Sequence, residues 1–144
     1  MTAAVLAFDP GRDKTGFAFV DDNGRLLLSG IFPSNEREEF FRALLDEDVS
    51  RWRIEGEGKY FVPKVIAVGN GTSSSEFQEY LKENMKTEII TVDERNTTLE
   101  ARGLYWKIHR PGIFTRIIPE GLRVPNRIID DLAAWAIALK ALNI

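Results

Sequence analysis

Acidic residues stand at three points where a predicted element begins or ends. Asp9 follows the first apolar strand, Glu94 follows the last one, and Asp130 or Asp131 lies early in a C-terminal helix. Ligands bind at the carboxyl ends of strands in open α/β sheets, because loops and helix starts converge there. Carboxylates without cysteine or a histidine cluster suit Mg²⁺ or Mn²⁺ rather than Zn²⁺. Two such ions, roughly 3.5–4 Å apart, can stabilise the attacking and leaving oxygens of a phosphodiester.

Each of these acids also has a structural interpretation. A turn before Pro10-Gly11 would explain Asp9. A helix start would explain Asp93, Glu94 and the Asp130-Asp131 pair, because acidic side chains there satisfy free amides and the helix dipole. The two C-terminal aspartates are about 100° apart on their helix and flank its apolar stripe, so helical phase does not choose between them.

Composition restricts the class of protein. The 144 residues predict one domain over 1–144, and the absence of cysteine excludes disulfides and thiolate chemistry. His109 is the single histidine, so any histidine-dependent site must use it. No apolar run reaches the length of a membrane span, and no basic, apolar leader opens the chain. We therefore expect a soluble, cytoplasmic protein.

Charge is distributed unevenly along the chain. The net charge is −3, yet residues 95–127 hold seven Lys or Arg against two acids, and six of the seven are arginine. Arginine suits phosphate better than lysine does, because its planar fork binds two oxygens at once. The segment is a candidate polyanion surface, and an ordinary solvated face is the alternative.

The hydrophobic pattern predicts an α/β protein with five strands. An antiparallel three-strand meander is followed by two parallel strands, and helices are predicted to begin at Glu36, at Ser73 or Ser74, at 96–98 and at about Asn126. The predicted strands are 3–8, 15–20, 26–32, 65–68 and 89–92. Two segments fit neither element: 46–63 is a connection that can include one more short strand, and 109–125 is irregular but apolar. We expect the apolar residues of 109–125 to pack on neighbouring helices or, as the second choice, to form a homodimer contact.

Three segments of this chain are familiar. The stretch Asp9-Pro10-Gly11-Arg12-Asp13-Lys14-Thr15-Gly16 resembles the opening of RuvC-type resolvases and of the related YqgF/RuvX family. Asp93-Glu94-Arg95-Asn96-Thr97-Thr98-Leu99-Glu100-Ala101 is similar to the YqgF "DERLTT-x-EA" segment, and Ile129-Asp130-Asp131-Leu132-Ala133-Ala134 to its C-terminal "D-x-x-AA" helix. The segments follow one another in the family's order.

The resemblance implies a ribonuclease H-like fold and a metal-dependent nuclease. Asp9, Glu94 and Asp130 would be the catalytic metal ligands, with Asp9 bridging two Mg²⁺ or Mn²⁺ ions and with Asp93 and Asp131 as substitutes. The family is associated with maturation of the 5′ end of 16S ribosomal RNA and, alternatively, with cleavage of Holliday junctions. Six basic residues would bind backbone phosphates: Lys14, Arg95, Arg102, Arg110, Arg116 and Arg127.

Other classes of protein fit less of the pattern. A nucleic-acid-binding module would use the same basic face, with the acids serving only as helix caps. An actin-like phosphotransferase also opens on Asp-x-Gly, but it needs two domains around a cleft. A glycosidase would need sugar-stacking aromatic residues near the three acids.

Overall fold

The computed structural model of the protein describes residues 3–58, 60, 63–119 and 122–144. Glu120 and Gly121 of the predicted irregular segment, and part of the predicted 46–63 connection, lie outside the described residues. None of the described helices combines the length and the hydropathy that a membrane span requires.

The described residues form one mixed sheet of six strands. Numbered along the chain, the strands are β1 (Val5–Pro10), β2 (Lys14–Val20), β3 (Leu26–Pro33), β4 (Arg53–Gly56), β5 (Val65–Gly69) and β6 (Glu88–Val92). Their order across the sheet is β4-β3-β2-β1-β5-β6. Neighbours from β1 to β4 are antiparallel, whereas β5 and β6 continue the sheet parallel to β1. The predicted α/β class, meander and parallel pair are confirmed.

The prediction of five strands is wrong by one, because β4 adds a strand outside β3. β4 lies within the 46–63 connection and places Glu55 opposite Ser29 of β3. Ile54 is the one apolar side chain among its four residues, so no period-two alternation marks the strand. Pairing with β3, which is distant in sequence, creates this strand.

The described residues also form five α-helices. They are α1 (Arg37–Leu45), α2 (Ser74–Asn84), α3 (Thr97–Ile108), α4 (Ile113–Arg116) and α5 (Asp130–Ala141). Of these, α1, α2 and α5 pack on the sheet. α2 and α3 begin where the sequence predicts.

Two helices begin later than predicted. α1 starts at Arg37, after a 3₁₀ turn at Ser34–Glu36, because the Ser34 hydroxyl donates to the Gly11 carbonyl instead of capping the helix. α5 starts at Asp130 rather than near Asn126, and its first amide hydrogen bonds reach back to the carbonyl of Ile129. The later start of α5 makes Asp130 the first residue of the helix.

Strand β1 lies between β2 and β5 and is buried on both faces, as its continuous apolar run predicts. On one face Phe8 packs against Phe40 of α1 and Phe77 of α2, with ring centroids 5.9 and 4.9 Å apart. Ala7 belongs to the cluster on the other face, which α5 covers. Because strand side chains alternate, Asp9 points to the same side as Ala7. The fold therefore directs Asp9 toward α5.

The described residues 110–119 and 122–126, which we call the arm, lie between α3 and α5 and include α4. The prediction that their apolar side chains pack on neighbouring helices is wrong for most of them. Phe114 is 85% exposed and Ile117 is 81% exposed, and Ile113, Leu122 and Val124 are exposed as well. None of the three described core clusters contains an arm residue, so the core closes without the arm. The homodimer contact stays a prediction.

Gly16 allows the closest approach between α5 and the sheet. It pairs with Asp9 across β1 and β2, and a methyl group at this position would overlap the backbone of Asp130. We expect Gly16→Ala to lower the free energy of unfolding by about 1–3 kcal/mol, the usual range for overpacking. Urea denaturation measures the loss. Gly112→Ala is the matched control, since nothing lies within 4 Å of its added methyl group, and equal losses in the two variants would contradict the prediction.

Candidate active site

Asp9 is the centre of the acidic site. It follows the apolar part of β1, and its side chain is half-buried on the α5 side of the sheet. Burial raises the pKa of Asp9 to about 7, with further contributions from the charges of Glu94 and Asp130 and from a hydrogen bond with Glu94. A carboxyl group with this pKa is protonated about half the time at neutral pH. Asp9 can therefore bind either a proton or a cation at neutral pH.

Glu94 lies two residues beyond β6, in a space that two glycines leave open. A methyl group at Gly69 would come within 2.7 Å of Glu94 Oε2, and one at Gly71 would overlap the same carboxylate. The backbone amide of Glu94 donates to Asn70 Oδ1 at 3.1 Å, which fixes this turn against the end of β5. Glu94 Oε2 is buried and has no hydrogen-bond partner among the described residues. A buried carboxylate oxygen without a partner has lost its hydration and is available to a cation.

Asp130 brings the third carboxylate from α5. Its backbone lies against Gly16, opposite Asp9, and its charge contributes to the raised pKa of Asp9. Burial raises the pKa of Asp130 itself, Lys14 lowers it and Asp131 raises it. The three acids predicted from their places at element ends thus lie at one end of the sheet, on one face.

The three acids are not equally close. The charge of Glu94 contributes more to the raised pKa of Asp9 than the charge of Asp130 does. Within the part of the chain that the structure describes, no three Asp, Glu, His or Cys side chains already form a metal-ligating group. A cation shared by all three acids would therefore draw their carboxylates closer together.

Asp131, predicted as a substitute metal ligand, binds Ser29 and Arg127 instead. It is fully buried and accepts hydrogen bonds from the Ser29 hydroxyl at 2.7 Å and from Arg127 Nη1 at 2.7 Å. Arg127, predicted to bind phosphate, also donates to Glu55 at 2.9 Å. Two carboxylates already occupy its guanidinium, so Arg127 holds the start of α5 rather than facing solvent.

Asp93, the other predicted substitute, serves the turn before α3. Its Oδ1 accepts from the backbone amide of Arg95 at 2.9 Å, and Lys140 donates to the carbonyls of both residues. The helix-start interpretation therefore fits Asp93. It does not fit Glu94, whose carboxylate faces Gly69 and Gly71, and no side-chain cap hydrogen bond forms at Asn96.

The predicted phosphate-binding residues differ in place and in exposure. Lys14 is exposed and close enough to Asp130 to lower its pKa. Arg95 is exposed beside Asp93, and Arg102 is half-buried on α3. Arg110 and Arg116 are exposed on the arm. Arg127 keeps 24% of its side chain exposed, but its guanidinium is paired with two carboxylates.

No protein-family model and no curated protein matches the chain.

Sequence reasoning missed Glu55, the residue that joins the arm to the sheet. Glu55 Oε2 accepts from both His109 Nε2 at 2.5 Å and Arg127 Nη2 at 2.9 Å. Burial raises the pKa of Glu55, but the hydrogen bonds from His109 and Arg127 outweigh it and hold that pKa below its usual value. The i,i+4 spacing of Arg127 and Asp131 was a signal for half of this network. No local sequence pattern predicts that Glu55 binds His109 and Arg127, because these partners lie 54 and 72 residues away.

Proposed function

We propose that the protein is a divalent-metal-dependent endonuclease that hydrolyses phosphodiester bonds in nucleic acid. The observation that carries this proposal is the half-buried Asp9–Glu94 pair, with a buried, unpartnered Glu94 oxygen and Asp130 close enough to raise the pKa of Asp9. Placing two carboxyl groups side by side in a partly buried position destabilises a fold unless a cation or a proton is bound there. Ion binding explains these acids better than a structural role, such as capping a helix, does.

The donor atoms fit Mg²⁺ or Mn²⁺. All three acids offer hard carboxylate oxygens, the chain has no cysteine, and His109 is held by Glu55. Asp9 interacts with both other acids, which supports it as the ligand shared by two ions, with Glu94 and Asp130 each holding one. Divalent ions at such a site supply a nucleophilic water and stabilise the charge that develops on the phosphate.

The strand arrangement supports a ribonuclease H-like fold. Strands β3-β2-β1-β5-β6, with their antiparallel meander and parallel pair, form the sheet that the resemblance to the YqgF/RuvX family implies. In this proposal β4 is an additional edge strand beside β3. It does not alter the ends of β1 and β6, where Asp9 and Glu94 lie. The site and the sheet order support the same family.

The proposed substrate is a ribosomal RNA precursor, cut in maturation of the 5′ end of 16S RNA, and a four-way DNA junction is the alternative. Both come from the family resemblance, and the surface charge fits either one. Lys14 beside Asp130, Arg95 directly after Glu94 in the chain and Arg102 on α3 would hold backbone phosphates.

A second candidate function is a metal-free nucleic-acid-binding module. Its support is the raised pKa of Asp9, because one proton shared between Asp9 and Glu94 could satisfy the pair without any ion. The two functions differ in what Mn²⁺ does to the protein.

The deciding experiment offers the purified protein a labelled structured RNA and a four-way DNA junction, with Mn²⁺ or with EDTA. We expect cleavage with Mn²⁺ and none with EDTA, together with a higher melting temperature in Mn²⁺, because an ion bound to the folded state stabilises it. Binding of nucleic acid without cleavage, and with a melting temperature that Mn²⁺ does not change, would support the binding module instead.

A further inference from the structure

The arm carries several exposed apolar side chains close together in sequence. Single exposed apolar residues are normal on a protein surface, but several along one segment mark an interaction site. Phe114 is 85% exposed at the start of this set, on α4. An exposed aromatic ring offers a flat face on which another ring can stack.

The arm is also positively charged. Arg110, Arg116 and Arg123 lie along it, and none of them pairs with a carboxylate among the described residues. Arg116 donates to the Pro111 carbonyl, and Arg123 donates to the carbonyls of Ile118 and Arg116. These bonds hold the arginines on the arm without neutralising them. The charge therefore favours an anionic partner and opposes a symmetric contact between two arms.

Both ends of the arm are attached to one carboxylate of the sheet. His109 precedes the arm and Arg127 follows it, and both bind Glu55 Oε2 on β4. Arg127 also binds Asp131, the neighbour of Asp130. The arm is thus anchored at the β4 edge of the sheet, three strands from β1, and Arg127 links this anchor to the first turn of α5, which carries Asp130.

We propose that the arm binds unpaired nucleotides of the substrate, with Phe114 stacking on a base and Arg110 and Arg116 holding the adjacent phosphates. Aromatic side chains stack on unpaired bases of any sequence, and arginine binds the backbone beside them. The substrate class is then a nucleic acid with single-stranded nucleotides next to the cut, rather than an uninterrupted duplex. This inference extends the proposed nuclease function and rests on it for the place of the cut.

The test compares affinities for an RNA duplex with a single-stranded overhang and for the same duplex with blunt ends, in EDTA so that nothing is cut. We expect Phe114→Ala to weaken binding of the overhang substrate roughly tenfold and to leave blunt-duplex binding unchanged. Phe114→Trp should retain the affinity, because it keeps a stacking face. Leu45→Ala is the matched control, since Leu45 is a similarly exposed apolar residue on α1.

The arginines provide a second readout. Replacing Arg110 and Arg116 with alanine should weaken binding of both substrates and reduce the salt dependence of the binding constant by about one to two in log–log slope. An unchanged slope would overturn the phosphate contacts.

Three outcomes would overturn the inference: equal affinity of Phe114→Ala and wild type for the overhang, an equal loss on the blunt duplex, or a dimer in light scattering that Phe114→Ala dissociates. Binding to anionic lipid vesicles without binding to RNA would overturn it as well. The effect of Mn²⁺ on the melting temperature tests the nuclease proposal independently of the proposal that the arm binds unpaired nucleotides. Loss of overhang binding in Phe114→Ala, in a protein that shows no Mn²⁺ effect and no cleavage, would support the arm and reject the nuclease.

Discussion

Replacing Glu94 with glutamine should lower the rate of phosphodiester cleavage by roughly a thousandfold, while affinity for uncut nucleic acid stays nearly unchanged. Glutamine keeps the size of the side chain in the space beside Gly69 and Gly71 but removes the charge that would hold an ion. The phosphate-binding residues are untouched by this change. A single-turnover cleavage assay in Mn²⁺, with binding measured in EDTA, separates the two effects.

Asp93→Asn is the matched control for that variant. It removes the same charge one residue away, from a side chain that faces the amide of Arg95 rather than Asp9. We expect it to cut at nearly the wild-type rate. Equal losses in the two variants would mean that local charge, and not ligation by Glu94, supports cleavage. Cleavage by Glu94→Gln at the wild-type rate would reject Glu94 as a metal ligand.

Replacing Asp9 with asparagine should stabilise the metal-free protein at pH 8 and abolish its response to Mn²⁺. The pKa of Asp9 is about 7 in the folded protein and close to its ordinary value of 3.8 in the unfolded chain. Between these two values the folded state holds a proton that the unfolded state releases. The free energy of unfolding therefore falls as the pH rises from about 4 to about 7, and the full penalty remains above pH 7.

Asp9→Asn removes that penalty, so we expect its metal-free form to be about 1–3 kcal/mol more stable than wild type at pH 8. Near pH 4 the difference should vanish, because Asp9 is then protonated in the folded protein. Mn²⁺ should raise the melting temperature of wild type at pH 8 and leave that of the variant unchanged. A variant that loses stability at pH 8, or that still responds to Mn²⁺, would contradict this account of Asp9.

The sequence predicts the elements that carry strong local patterns. The apolar run before Asp9 indicates a central buried strand, and β1 has that position. Ser73 indicates the start of α2, and Asn96 that of α3. Placement at element ends indicated Asp9 and Glu94, because the topology brings the ends of β1 and β6 to the same end of the sheet, but it left Asp130 and Asp131 undecided.

Contacts between distant segments could not be predicted. β4 depends on pairing with β3, and the network of Ser29, Asp131, Arg127 and Glu55 joins three separate parts of the chain. The charge pattern of 95–127 predicted that Arg127 contacts phosphate. In the structure its guanidinium instead pairs with the buried carboxylate of Asp131. The apolar composition of the arm predicted that its side chains pack on neighbouring helices of the same chain. The structure leaves Phe114 exposed.

Strand β4 has a further consequence, for solubility. β3 is long and apolar, and as an edge it would offer a row of unpaired amides and carbonyls to other chains, the usual starting point of strand-to-strand aggregation. β4 covers part of that row and is itself a poor template, because it is four residues long and carries Arg53 and Glu55. A chain trimmed through 50–58 to restore a five-stranded sheet would keep Asp9 and Glu94 but would expose β3. Such a trimmed protein should aggregate through β3 before any loss of the acidic site could be measured.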